Sequence, residues 1–376
     1  MLMDLLTARI DRDALAHNAR EIARRVAPAR LMAVVKADAY NHGAVEVARI
    51  ALANGAQELG VATLGEAREL RRAGIEAPIL AWLWSPEQDL PEALRWGIRL
   101  AIPSLAHARA VVAAAEGAQE RSGVTEVAEV TVKVETGMHR SGVDPAEWGE
   151  VFDLLARCPR VRVTGLMSHL SSADVPDDPA TDAQAERFRR AIAAAREHGL
   201  EVPVNHLCNS PGALTRPDLR HEMVRVGLAL YGLEPVAGVE HGVVPAMSWV
   251  GRVLVVKPVR AGEGASYGLT WRAPGDGYLA VVPAGYADGL PRSFQGCVEV
   301  AVAGRRYPQV GRVCMDQFVV WLGANEHRVA AGDEAVIFGR GGMSATELAR
   351  RAGTINYEVV CAPRGRTRRV YVGKGE

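Results

Sequence analysis

A chain of 376 residues is too long for one ordinary hydrophobic core, so about two domains are expected. With 48% hydrophobic and 23% charged residues, it has the balance of a folded globular protein and not of a disordered one. Lys plus Arg and Asp plus Glu both total 44, a formal net charge of +0, which leaves no basic field to draw nucleic acid or an anionic membrane.

At the N-terminus, Asp4, Arg9 and Asp11 interrupt the chain before a signal-like apolar run develops, and no stretch reaches the length of a membrane span. A cytoplasmic protein is the expectation. The five cysteines (Cys158, Cys208, Cys297, Cys314, Cys361) are odd in number, far apart and free of CxxC spacing. That pattern argues against a disulfide framework and against a zinc site, so they read as reduced thiols.

The first element is a strand at TARI, followed by a helix from Asp11 to Val26 with apolar residues at Leu15, Ala19, Ile22 and Val26, ending before Pro28. Candidate strands then recur near 31–36, 58–63, 78–82, 98–102, 129–134, 162–168, 203–208 and 222–227, with helical segments such as Gly65 to Ala73 and Thr181 to His198 between them. This alternation predicts an α/β fold, a (β/α)8 TIM barrel. An open doubly wound sheet is the competing architecture, but no GxGxxG turn follows the first strand.

Beyond Tyr231 the segment EPVAGVEHGVVPA reads as a linker. The short β-branched runs after it, WVGRVLVVKPV, GYLAVVPAGY, CVEVAVAG and QFVVWLG, predict a mostly β domain. A single helix is expected there, Ser344 to Arg351, with Ser344 and Glu347 forming a capping box. The expected division is a barrel over 10–235 and a C-terminal mostly β domain over 236–376, with residues 1–9 pairing with the latter.

The stretch LMAVVKADAYNHG, residues 31–43, holds the densest chemistry. Its apolar run ends at Lys36, Asp38, Tyr40 and His42 follow at two-residue intervals, and Gly43 opens a helix. Barrel active sites collect at the carboxyl ends of strands, and the other reactive residues fall there too. Lys133 and Arg140 bracket the exit of the fifth strand, His169 ends the sixth, Asn209 and Ser210 the seventh, and Arg225 to Leu228 the eighth. Singly each has an ordinary explanation: a lysine reaching solvent, a core histidine, a solvated loop charge. Jointly they mark one face. In CNSPGAL, Ser210 can cap a helix that Pro211 begins, which suits a phosphate.

VVKADAYNHG resembles the signature of the alanine racemases, in which the lysine holds pyridoxal 5'-phosphate (PLP) covalently; Asn41 stands where the family usually has glycine. The segments MVRVGLALYGL, GASYGLTW, GYADGLPR, VGRVCMDQ and INYEV extend the resemblance over nearly the whole chain. It implies that Lys36 and Tyr267 are the two proton-transfer groups, one on each face of the substrate α-carbon. It also implies that Ser210, Gly227 and Leu228 hold the PLP phosphate with the hydroxyls of Tyr40 and Tyr357. His169 would lie against the cofactor ring, with Asn209 beside the phosphate site.

Arg225 would face the pyridine nitrogen. An arginine offers only donors, so that nitrogen stays unprotonated and the ring is a weaker electron sink. A tyrosine hydroxyl ordinarily ionises near pH 10, so Tyr267 needs a cationic neighbour, which the resemblance supplies as His169 and Arg140. Arg140 and the backbone of Met315 would hold the substrate carboxylate, while Tyr286, Met315 and Asp316 narrow the entrance. Lys133, in the largely apolar VTVKVE, matches a position that the family often carries as a carbamylated lysine; pairing with Glu135 is the plain alternative. The implied activity is interconversion of L- and D-alanine for cell-wall precursors by a homodimer with shared active sites, with no metal. A broader amino-acid racemase and a non-catalytic PLP-binding barrel are the competing readings. The SYG, GYADG and CMDQ segments count against the second.

Overall fold

The computed structural model describes residues 4–122 and 127–375. They divide into two compact units. One comprises residues 15–39 and 43–243; the other takes the chain through Ala14, Tyr40–His42 and Val244–Gly375.

The first unit is built on parallel strands in the order Val161–Met167, Ala128–Lys133, Ile98–Ile102, Ile79–Leu83, Glu58–Thr63, Arg30–Val34 and Met223–Val226. Helices such as Leu64–Arg72 and Pro179–Glu197 connect them. Thr63 and Glu66 form a reciprocal capping box at the start of the first of these, which fixes where strand gives way to helix. Met32, Leu80, Ala101, Met167 and Met223 pack together from five different strands, with Trp82 and Val204 against them.

The expected strand over 203–208 is a correction. It carries one bridge, His206 to Met167, in place of a regular ladder. The cause lies in its neighbour, where Gly165 sits after a register shift: a Cβ there would lie 1.7 Å from the Val204 carbonyl oxygen. The two backbones approach too closely for an ordinary pleated pair, and the Asn205 side chain takes over, accepting from Leu166 N–H at 3.0 Å. The segment still closes the sheet. His206 N–H donates to Leu166 O at 2.9 Å on one side, and Arg225 N–H to Cys208 O at 3.0 Å on the other.

At the amino-terminal mouth, Arg30, Glu58, Arg99, Glu129 and Arg162 alternate in a chain of ion pairs. Charges satisfied in this way leave the carboxyl ends as the place for unspent chemistry.

Lys36 does not end a strand. The strand stops at Val34, and Lys36 opens a turn, Lys36–Asn41, in which Ala37, Asp38, Ala39, Tyr40 and Asn41 all have φ between 50 and 65°. This is a left-handed helical turn made without glycine, a conformation that costs L-residues roughly 1–2 kcal/mol each. Ala39 N–H to Val35 O and Gly43 N–H to Asp38 O, both 2.9 Å, hold it, and the Asp38 carboxylate accepts from Ala44 N–H at 2.7 Å. Asn41 is among the few residues that tolerate this region, and its side chain is used: Nδ2 donates to Pro363 O at 2.7 Å and Oδ1 accepts from Arg369 at 3.1 Å.

The second unit is a nine-stranded sheet running from Val255–Val259 at one edge to Arg368–Val372 at the other. Leu6–Asp11 lies inside it, antiparallel to Met247–Arg252 and parallel to Arg368–Val372. Val259, Ala265, Ala273, Leu279 and Val310 form a core with Trp271, Val319 and Trp321.

Two expectations are corrected here. The unit holds a second helix, Asn356–Cys361, over the stretch INYEV. The capping box at Ala345–Ala352 is half formed: Ser344 accepts from Glu347 N–H at 3.0 Å, but the Glu347 carboxylate is taken by Arg306 and Arg351. Among the described residues no helix is long and apolar enough to cross a membrane, no group of side chains is arranged to hold a metal ion, and all five cysteines are free thiols.

Candidate active site

Arg225 is the hub of the barrel site. It leaves the strand Met223–Val226 buried, and its guanidinium donates to His206 O at 2.6 Å, Ser168 O at 2.5 Å and Leu207 O at 3.1 Å. His206 Nδ1 lies 2.9 Å and His169 Nδ1 3.5 Å from the same group. Burial pushes this arginine down to about 10, which leaves it a cation at neutral pH.

Lys133, near the same place, is pushed down to about 8 by burial, by Arg140 and by Arg225, with Lys36 adding to the effect and Glu135 opposing it. Its amine donates to the Ser141 hydroxyl. Glu135 is occupied elsewhere: burial alone would raise its carboxyl, but N–H donors from Gly137, His139 and Met138 outweigh it and hold the group low. Those contacts shape the turn that carries Arg140. His169 is held well below the usual imidazole range, first by burial and then by Arg225, Arg140, Lys133 and Lys36. The Lys36 amine stands 5.9 Å from the centroid of the Trp82 ring.

Four cations therefore converge on one neutral histidine. The arrangement carries excess positive charge that an anion would relieve. Beside it, the Ser210 hydroxyl accepts from Gly227 N–H at 3.2 Å and Ala229 N–H at 3.4 Å. Asn209 caps the helix Ser210–Thr215 through Gly212 N–H at 3.3 Å and ties back to Leu170 O at 3.3 Å. The Ser210 hydroxyl thus gathers the backbone of Gly227 to Ala229, with Leu228 between them.

The remaining expected residues belong to the β-rich unit. Tyr40 and Tyr357 face each other with ring centroids 5.7 Å apart, and burial, then Tyr357 and Cys361, raise the Tyr40 hydroxyl above its ordinary range. Tyr286 and Met315 are zipped into one assembly: Tyr286 N–H donates to Cys314 O and Ala287 N–H to Met315 O, both at 3.1 Å. Beneath them the buried Asp288 accepts two guanidinium bonds from Arg366, which also reaches Asp316 at 2.7 Å. Tyr267 and Met315 are both exposed.

Sequence reasoning passed over His206, Ser168 and Ser141. The last was legible, since it follows Arg140 directly. His206 carried only its position just before CNSPG as a signal.

The fold is that of a barrel protein, a curled parallel sheet with cations gathered toward its carboxyl end, together with a strand-rich unit that displays a tyrosine. Residues 10–235 match the alanine racemase N-terminal domain and 246–371 the alanine racemase C-terminal domain. The chain belongs to the alanine racemase family. It is 60% identical to the alanine racemase of Corynebacterium efficiens over 374 residues, 100% of each chain. Among solved structures it is similar to the Corynebacterium glutamicum alanine racemase, with 53% identity, a TM-score of 0.88 and coverage of 98% of this chain and 100% of that one. It is also similar to the Streptomyces lavendulae alanine racemase, with 41% identity, a TM-score of 0.95 and coverage of 100% and 98%.

Proposed function

We propose that the protein is a PLP-dependent isomerase that interconverts L-alanine and D-alanine, works as a homodimer, and supplies cytoplasmic D-alanine for cell-wall precursors. In this reading 10–235 is the cofactor-binding barrel, and 236–376 with residues 1–9 is the β domain. The observation that carries it is the coincidence of a family match across both units with the gathering of Lys36, Lys133, Arg140 and Arg225 around His169.

The donor set fits PLP. Lys36 is the amine that would hold the aldehyde; Ser210, Gly227 and Leu228, with the Tyr40 and Tyr357 hydroxyls, would hold the phosphate, and Asn209 fixes the segment that presents Ser210. When bound, the cofactor supplies an electron sink for the pair left on the substrate α-carbon as its proton departs. Arg225 keeps its charge and has no acceptor atom, so toward a ring nitrogen it acts as a donor only. His169 would lie against the ring.

Lys36 moves the α-proton on one face, and Tyr267 moves it on the other. The surroundings of His169 keep it neutral, which leaves Arg140 as the cation on that side of the site. Arg140 and the Met315 backbone take the substrate carboxylate, and Tyr286 with Met315 limits the side chain to a small one. Lys133, with its lowered pKa, has a larger neutral fraction than an exposed lysine, the form that captures carbon dioxide; its carbamate would turn a cation into an anion beside Arg140.

The exposed Tyr267 and Met315 are taken to serve the barrel of a partner subunit. Racemisation of alanine against serine by purified protein with PLP tests the assignment. Equal turnover of serine would sink the narrow specificity, and no turnover of either would sink the isomerase reading.

A further inference from the structure

The loop that carries Tyr267 is short and strained. Gly264–Ala265 pairs antiparallel with Trp271–Arg272, so residues 266–270 form a hairpin tip. Ser266 has φ 63° and ψ −174°, a region that belongs almost wholly to glycine, and Leu269 at φ 48° is left-handed as well. A serine persists there only when its surroundings over-determine it.

They do. The Ser266 hydroxyl donates to the Arg312 carbonyl at 2.6 Å and lies 3.4 Å from the Cys314 sulfur. Its own carbonyl accepts from Leu269 N–H at 3.1 Å. Gly311, at φ 66°, permits the approach: a Cβ there would lie 2.8 Å from both the Ala265 carbonyl oxygen and the Ser266 Cβ. Residues 311–314 lead directly into Met315. One serine thus ties the hairpin that bears Tyr267 to the segment that bears Met315.

We propose that Ser266 is a positioning residue for Tyr267: by donating to the Arg312 carbonyl, its hydroxyl fixes the hairpin tip and with it the place at which the tyrosine hydroxyl meets substrate. The inference rests on reading Tyr267 as one of two proton-transfer groups. Without the hydroxyl, nothing on the Ser266 side chain opposes relaxation of the tip to an ordinary backbone conformation, and the tyrosine moves with it. Proton transfer tolerates little misplacement.

Ser266→Ala in the holoenzyme should lower kcat for racemisation roughly 100-fold in both directions. Exchange of the α-hydrogen with solvent deuterium, without inversion, should persist for the one enantiomer that Lys36 serves. A merely structural role would not split exchange from inversion. Ser266→Gly, which adopts this backbone without strain but has no hydroxyl, should remain impaired. Full activity in Ser266→Gly would overturn the proposal, as would joint loss of exchange in both enantiomers in Ser266→Ala. Tyr267→Phe, run alongside, separates the two failures. If it racemises normally, the reading of the tyrosine itself is wrong. If it fails while Ser266→Ala stays within about threefold of the parent, well short of the loss a misplaced group causes, only the positioning role is wrong.

Discussion

In the barrel unit Arg225 and Lys133 are 4% and 7% exposed, whereas in the β-rich unit Tyr267 and Met315 are 70% and 52% exposed. Burial does the tuning in the first case: it depresses Arg225, Lys133 and His169, and mutual repulsion among the cations adds to it for the last two. In the second, the backbone does the placing, through Ser266 and the Asp288–Arg366 clamp. A site can be prepared by shifting protonation or by fixing position. This chain uses one method in each unit.

The largest expected effect is at Lys36. Lys36→Ala should lower racemisation by roughly 10⁴-fold or more and abolish the visible absorbance of the lysine-linked cofactor, since residues acting as a unit fail together. Borohydride fixation of PLP on a different lysine in the parent protein would refute the assignment.

Whether the exposed half acts on a partner is tested by mixing Lys36→Ala with Tyr267→Ala after dissociation. If the tyrosine acts in trans, equal mixing makes half of the dimers hybrids with one intact site of two, and about a quarter of the parent activity returns. If it acts in cis, confirmed hybrids stay inactive.

A smaller effect concerns Lys133. Its folded pKa of about 8 lies below the ~10.4 of an exposed lysine, so across that window the unfolded chain binds more protons than the folded one. Stability should therefore rise with pH through the window relative to Lys133→Met, read as the urea midpoint in carbon-dioxide-free buffer. A flat difference would mean that the buried-cation account is wrong. Smallest is Ser344→Ala, which removes one N-cap bond and should cost about 1 kcal/mol in the urea-derived stability. No measurable loss would show that Glu347, through Arg306 and Arg351, holds that helix by itself.

Barrel strands were legible where parallel strands buried on both faces read as continuous apolar runs, as at Ile79–Leu83. The cation site was legible because its residues lie at or just beyond the carboxyl ends of strands, as Lys133 and Lys36 do. Segment 203–208 misled because the decisive residue, Gly165, lies in another strand. Asn356–Cys361 escaped because six residues are too few to show a helical period, and its two valines favour a strand reading. The capping box failed through competition from Arg351, one turn on along the same helix, and from Arg306, which is distant in sequence and which no local pattern reports. Ser266 was invisible because its role depends on a backbone angle, and His206 because its partner Arg225 is nineteen positions away.

The left-handed turn at 37–41 has a stereochemical corollary. Chirality sets the sign of φ that a residue prefers, and values near +50° are the mirror image of the ordinary right-handed helix. At Ala37, whose side chain is exposed, the residue at ease in this backbone would be D-alanine. A semisynthetic chain with that single inversion should bind its turn more firmly than the natural one. The stretch that follows the proposed catalytic lysine of a proposed D-alanine producer is thus one in which the ribosome's own enantiomer is the strained choice.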